Sequence, residues 1–527
     1  MDTSKLRKFA SFARTSLIEQ VGTRLKTVLA EKSLARRESP KVVEELEKKI
    51  KELGEQRVLE TVAYTWFNRF CALRYMDVNR YTRIGVLSPA DGQFQPEILA
   101  EAKMGHIDEE LVPEATRKRV MRLLDGSDPS ADPQGESYRL LLVAVCNYYH
   151  ALMPFMFEKI ADYTELLLPD DLLSETSIPA QTRTAIDLEA DCDNPKSKIE
   201  NPKSESPKSK IQNRKSLDVE VIGWLYQFYI ADKKDAVMAR KAAVPTDDIP
   251  AVTQLFTPHW IVRYLVENSL GRLWMLNHPD SRLRERMPYY IEGESETDFL
   301  KLAKPEEIRL LDPACGSGHM LTYAYDLLYA IYDEQGYTPT EIPGLILKHN
   351  LFGIEICDRA AALAAFALCM KARSSDSRYF RRVVQPNVIS LQDVHIAEDE
   401  LEDYIQTLEL GELFGPLLRK LLQQFEDAKN FGSLIQPCLN EAEIQSARSQ
   451  IENRKSKIEN SDLFVAATHL KVLRVLEQAE ALTQRYHVVV ANPPYMGSGA
   501  MNAKVRSFGN TSPKLAPTFI AYSLSAI

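Results

Sequence analysis

From Thr253 onward the chain alternates short apolar runs with helical stretches, and each run is followed by a polar or glycine-containing turn. That cadence predicts an α/β domain with a parallel sheet and helices that return the chain across it. Strands are expected at residues 308–311, 351–354, 388–391 and 487–491. Open sheets of this kind bind ligands at the carboxyl ends of their strands, so the four turns are where chemistry is expected.

The first turn reads Asp312-Pro313-Ala314-Cys315-Gly316-Ser317-Gly318 and runs into a helical stretch at Leu321-Thr322-Tyr323-Ala324-Tyr325. Glycines at 316 and 318 let the backbone approach a ligand closely, and Asp312 at the strand end can accept hydrogen bonds. This is not the G-x-G-x-x-G dinucleotide fingerprint, and an ordinary tight turn would also use two glycines. The second strand delivers Glu355, placed either to take both hydroxyls of a ribose or to cap the helix that follows. The third delivers Asp393, again a ligand acceptor or a cap for the next helix. The fourth delivers Asn492-Pro493-Pro494-Tyr495. Upstream, Phe256-Thr257-Pro258 opens a helix, with Thr257 expected as its N-cap and Pro258 at its first position.

The strings D-P-A-C-G-S-G and N-P-P-Y, in this order, resemble motifs I and IV of the gamma-type DNA methyltransferases that act on N6 of adenine. The resemblance implies a Rossmann-like methyltransferase domain using S-adenosyl-L-methionine. It places the cofactor on Phe256, Thr257, Pro258, Asp312, Pro313, Ala314, Gly316, Gly318, Glu355 at the ribose and Asp393 at the adenine amino group. It makes Asn492, Pro493, Pro494 and Tyr495 the catalytic residues, acting on a flipped adenine of double-stranded DNA. The residues suit that chemistry. An amine conjugated to a purine is a poor nucleophile, because its lone pair is delocalised into the ring. The Asn492 amide oxygen and the Pro493 carbonyl can accept its two protons and draw the nitrogen toward a tetrahedral geometry. The prolines stiffen the turn, and Tyr495 offers a ring for an extruded base to stack on. Positive charge leaves a sulfonium as it develops on the amine, so orientation and electrostatics suffice without a metal.

Residues 1–185 read as a mainly helical domain. The stretch Thr61 to Met76 mixes Trp66, Phe67, Phe70, Leu73 and Tyr75 with Arg69 and Arg74; base stacking is conceivable there, but helical spacing favours a core with a charged rim. Residues 194–216 turn abruptly to Asn, Pro, Lys and Ser, and their Lys196-Ser197-Lys198-Ile199-Glu200-Asn201 recurs at 455–460. Such apolar-poor copies cannot stack as repeats, so 194–216 is expected as a disordered linker and 445–462 as a disordered polar insertion. Residues 217–300 form a helical lead-in, and 301–527 the methyltransferase domain. A net charge of −9 provides no global attraction to nucleic acid, leaving DNA contact to local basic patches. Seven scattered cysteines, without metal spacing, fit a reducing cytoplasm. The N-terminus lacks an apolar targeting segment, and the longest apolar run is too short to span a bilayer.

Within the gamma group, Gly223-Trp224-Leu225-Tyr226-Gln227-Phe228-Tyr229 and Asn430-Phe431-Gly432-Ser433-Leu434-Ile435 resemble the methyltransferases of BREX phage-exclusion systems, which implies other phage-defence proteins as partners. Beyond Gly497 the likeness lapses, as if the chain were truncated before the later strands of the sheet and the target-recognition region. The sheet is then expected to be incomplete. Three alternatives remain open: a fused restriction nuclease, on a faint Pro89-Ala90-Asp91…Glu101-Ala102-Lys103 pattern; a protein-glutamine methyltransferase, which also uses N-P-P-Y; and an inactive fragment.

Overall fold

Among the described residues, four short parallel strands run β1 (Leu310–Asp312), β2 (Leu351–Glu355), β3 (Asn387–Ser390) and β4 (Val488–Val489), in the spatial order β3-β2-β1-β4. The structure, a computed structural model, describes residues 3–158, 163–187, 217–240, 242–254, 257–293, 296–409, 414–454, 458, 463–492 and 501–511. The chain divides into two units, residues 1–232 and 233–527.

The first unit is helical among its described residues. Its helix Glu55–Val78 buries Trp66, Phe67, Phe70, Leu73 and Tyr75. Arg69 is only 1% exposed, lies 4.9 Å over the Trp66 ring and donates to the Glu158 carbonyl. The aromatic and arginine mixture is therefore core; the Trp66 indole is satisfied by the Thr164 carbonyl, whereas Arg69 Nε and Nη1 are buried without a hydrogen-bond partner among the described residues. Of the faint nuclease pattern, Glu101 sits beside His106 Nδ1 at 3.1 Å, and Lys103 Nζ donates to Gln134 Oε1 at 2.8 Å.

The second unit holds the sheet. β1 sits in register with both neighbours, Leu310 facing Leu351 on one side and Val488 on the other. Alternation along β2 sends adjacent residues to opposite faces. Ile354 joins Leu311 and Leu391 in a core built with Tyr404, Leu421, Phe425, Val472, Val475 and Leu476 from the chain between β3 and β4. Gly353 faces the other side, where a Cβ would stand 2.9 Å from Leu321 and 3.0 Å from the Cys315 sulfur. The helix His319–Glu334 can press against the sheet there only because residue 353 has no side chain.

One expectation changes. Residues 445–452 are not a disordered insertion: they belong to the helix Glu441–Glu452, which opens on a capping box between Asn440 and Glu443. Its Ile444, Ala447 and Ile451 form an apolar stripe in the same core as Val472 and Leu476. The polar surround masks that stripe in the sequence. Residues 194–216 lie outside the described residues, as do 455–457 and 459–462. Among the described residues, no helix is long and apolar enough to cross a membrane.

Candidate active site

The turn after β1 is built by backbone geometry before any ligand enters. The Asp312 carboxylate accepts the Ala314 amide at 3.1 Å, the Cys315 amide reaches across to the Ile354 carbonyl at 3.0 Å, and the Gly318 amide closes back on Cys315 at 2.8 Å. Gly316 and Gly318 both take positive φ, 53° and 84°. At Gly318 a Cβ would also lie 2.9 Å from the Ala364 Cβ, so glycine is required there twice over. Ala364 lies on the helix Asp358–Ser375, and this contact brings that helix up to the turn.

Glu355, at the end of β2, locks onto the same turn. Its Oε2 accepts the Gly316 amide at 2.8 Å, and its Oε1 accepts the Ile356 and Cys357 amides at 3.0 Å each. Three of the roughly four acceptor positions of a carboxylate are thus taken by backbone, leaving Oε2 room for a further donor. Asp312 and Glu355 are both buried. Burial pushes the Asp312 carboxyl up to about 8, against the Ala314 hydrogen bond, and the neighbouring Glu355 adds to the rise. Burial raises Glu355 as well, opposed by its three amide bonds.

Asn492 leaves the sheet beside this turn because β4 pairs with β1: Leu311 faces Val489, and the Val490 amide bonds the Leu311 carbonyl at 2.9 Å. Its Nδ2 donates to Thr257 Oγ1 at 3.0 Å, and Thr257 is buried. Thr257 is therefore not the N-cap. The helix His259–Val266 begins one residue later than expected, with Pro258 in the cap position and no side-chain cap bond. The threonine hydroxyl is engaged by a tertiary partner instead. The helix is anchored to the one after the first turn: Glu267, fully buried, accepts Tyr323 Oη and the Tyr289 amide at 2.6 Å each, and the His259 ring stacks on His319.

Asp393 is exposed and accepts the Lys429 amide at 2.8 Å. It does not cap the next helix, Glu398–Thr407, whose N-cap is Ala397. Phe256, Pro493, Pro494 and Tyr495 lie outside the described residues. Two residues that local reasoning missed also touch the site: Ser433 Oγ donates to the Pro313 carbonyl at 2.9 Å, and the buried Asn430 accepts from Asn502 at 2.7 Å. Their N-F-G-S string is visible in the sequence, but only the fold brings it to the first turn.

Two buried carboxylates and glycines at positive φ form an acceptor-rich cradle, suited to a ligand that brings hydroxyls or positive charge. Residues 349–524 match the model of the Eco57I restriction-modification methylase family, and residues 292–396 that of the MmeI DNA-methyltransferase domain. The chain is 40% identical over 496 residues to the adenine-specific methyltransferase BrxX of Escherichia coli O9:H4 (strain HS), covering 88% of this chain and 38% of that protein. It is 32% identical over 558 residues to the adenine-specific methyltransferase PglX of Lacticaseibacillus casei (strain Zhang), covering 96% of this chain and 44% of that protein. The chain thus spans less than half the length of either relative. A glycine turn flanked by buried carboxylates, with an asparagine delivered beside it by the neighbouring strand, thus lies in a chain that is similar over most of its length to these two adenine-specific methyltransferases.

Proposed function

We propose that this chain carries the cofactor site and catalytic turn of an S-adenosyl-L-methionine-dependent DNA methyltransferase acting on N6 of adenine, in phage defence of the BREX kind. Residues 301–527 are read as a Rossmann-like methyltransferase domain, 217–300 as its helical lead-in and 1–185 as a helical N-terminal domain. The observation that carries the reading is the pairing of β4 with β1, which sets Asn492 beside the turn held by Asp312 and Glu355.

Asp312, Glu355, Asp393, Thr257 and Pro258, with the backbone of 313–318, would hold the cofactor; Phe256 joins them by its place in the motif. S-adenosyl-L-methionine supplies a methyl group on a sulfonium. Asn492 prepares the amine. Thr257 takes the NH2 end of its amide, which turns Oδ1 to the other side as the acceptor for an amine proton. The Pro493 carbonyl would take the second proton, and Tyr495 would stack on the extruded base. Double-stranded DNA with a flipped adenine is the substrate on this reading, and an extruded base costs a few kcal/mol that contacts to the duplex must offset.

The test is to titrate the protein with S-adenosyl-L-methionine by calorimetry and to digest methylated duplex DNA for N6-methyladenine. Binding that disappears in Glu355→Ala, together with N6-methyladenine that disappears in Asn492→Ala, is expected. Wild-type methylation by Asn492→Ala would overturn the assignment.

A further inference from the structure

Residues 427–433 touch the chain leaving the carboxyl end of every strand in the sheet. At β1, Ser433 Oγ donates to the Pro313 carbonyl at 2.9 Å. At β2, Gly432 lies so close to Ile356 that a Cβ would stand 3.1 Å from its side chain, and Lys429 Nζ pairs with Asp358 at 3.0 Å. At β3, the Lys429 amide donates to Asp393 at 2.8 Å. Beyond β4, Asn430 Oδ1 accepts from Asn502 Nδ2 at 2.7 Å, and Asp427 pairs with Lys504 at 2.7 Å. Asn430 Oδ1 also accepts from Thr246 at 3.4 Å, ahead of the Thr257 segment.

The contacts are unequal. The Asp427–Lys504 pair is solvent-exposed and contributes little. Asn430 is buried, so losing its partner would leave a polar atom unsatisfied, which is costly. Its Nδ2 is buried with no partner among the described residues, a cost that a side chain kept only for packing would not carry. Gly432, at φ 57° and ψ −140°, occupies a conformation open essentially to glycine alone, and it lets the backbone turn between these two anchors. Asn502 in turn accepts the Val505 amide and so fixes the start of the helix Ala503–Thr511, which follows the N-P-P-Y turn in the chain.

We propose that residues 427–433 are a positioning segment that couples the cofactor turn after β1 to the chain beyond the catalytic turn after β4, with Ser433 and Asn430 as its two anchors. The inference rests on the methyltransferase reading. Ser433 holds the Pro313 carbonyl, and with it the turn between Asp312 and Gly316. Asn430 holds Asn502. Ordering of the cofactor turn is thereby passed to the far side of Asn492 through one short stretch of chain.

The experiment uses the whole protein with S-adenosyl-L-methionine as the probe, and reads cofactor affinity by calorimetry, amide exchange of residues 501–511 with and without cofactor, and methyl-transfer rate at saturating cofactor. In the wild type, cofactor binding should slow exchange in 501–511 although no cofactor ligand is assigned there. Asn430→Ala should bind cofactor within about threefold of the wild type, lose that protection, and lower kcat about five- to tenfold, the worth of one hydrogen bond. Ser433→Ala should weaken cofactor binding by a similar factor, and Ser433→Thr, which keeps the hydroxyl, should restore it. If Asn430→Ala fails to fold, Asn502→Asp removes the donor to Asn430 from its less buried end, keeps the oxygen that accepts the Val505 amide, and should give the same loss of protection. Cofactor-induced protection that survives in both asparagine variants, or that is absent from a wild type that binds cofactor, overturns the inference. A wild type that neither binds cofactor nor methylates DNA overturns the underlying reading instead.

Discussion

Asn492 Nδ2 and Thr257 Oγ1 stand 3.0 Å apart across 235 residues of sequence, joining the turn after β4 to the segment that precedes the turn after β1. An amide whose nitrogen end is held presents its oxygen in a defined direction. Thr257→Val, which keeps the shape and removes the hydroxyl, is expected to lower kcat about tenfold, and Thr257→Ser to retain most of it, because a single hydrogen bond is at stake. Asn492→Ala should lower kcat by at least about a hundredfold while cofactor affinity stays near that of the wild type. Steady-state kinetics beside calorimetry checks both. An equal loss in the valine and serine variants would show that the hydroxyl is not what matters.

Asp312 should couple cofactor binding and stability to pH. Its carboxyl lies up at about 8 in the folded chain, chiefly through burial, against roughly 3.9 when unfolded. The folded state therefore binds this proton more tightly. Its contribution to the ligand-free fold is fully present below about pH 4, is lost as pH rises toward about 8, and changes no further above that. Asp312→Asn should be the more stable protein at neutral pH, by about 1–2 kcal/mol in urea unfolding, since folding no longer requires this carboxylate to take up a proton. The same variant should bind S-adenosyl-L-methionine more weakly. In the wild type, affinity should rise with pH and level off near pH 8, because a cationic ligand favours the ionised carboxylate. A pH-independent affinity would remove Asp312 from the cofactor site.

Gly318→Ala should destabilise the second unit by about 1–3 kcal/mol, because a side chain at φ 84° is strained and its Cβ meets Ala364. Thermal unfolding measures the loss. An unchanged transition would mean that the helix Asp358–Ser375 yields at that contact.

Ile451→Ala should cost about 2–4 kcal/mol, the penalty of a truncated core isoleucine, and deleting residues 445–462 should abolish soluble, protease-resistant protein. Limited proteolysis checks the deletion. A stable deletion variant would return the segment to the status of an insertion.

The parallel strands could be read from the chain alone, each within about two residues, because alternation, turn residues and a glycine-rich exit are local properties. The buried acids at 312 and 355 and the asparagine at 492 were equally legible, since a strand end announces itself by where its apolar run stops. Thr257 is not a cap although Thr-Pro before a helix satisfies every local criterion for one, because only packing brings Asn492 within reach of its hydroxyl. Residues 445–452 read as polar because composition averages over a helix and hides one apolar stripe. That stripe becomes core only when the helix Leu463–Thr483 lies against it. Asp393 was open to two readings, and the partner it found, the Lys429 amide, belongs to neither adjacent element. Local sequence sets the strands, their order along the chain and the residue types delivered at each strand end, since these depend on residues close together. The tertiary structure decided which strand lies beside which, and which distant hydroxyls and amides hold the turns, because those bonds form between segments that local preference leaves unrelated.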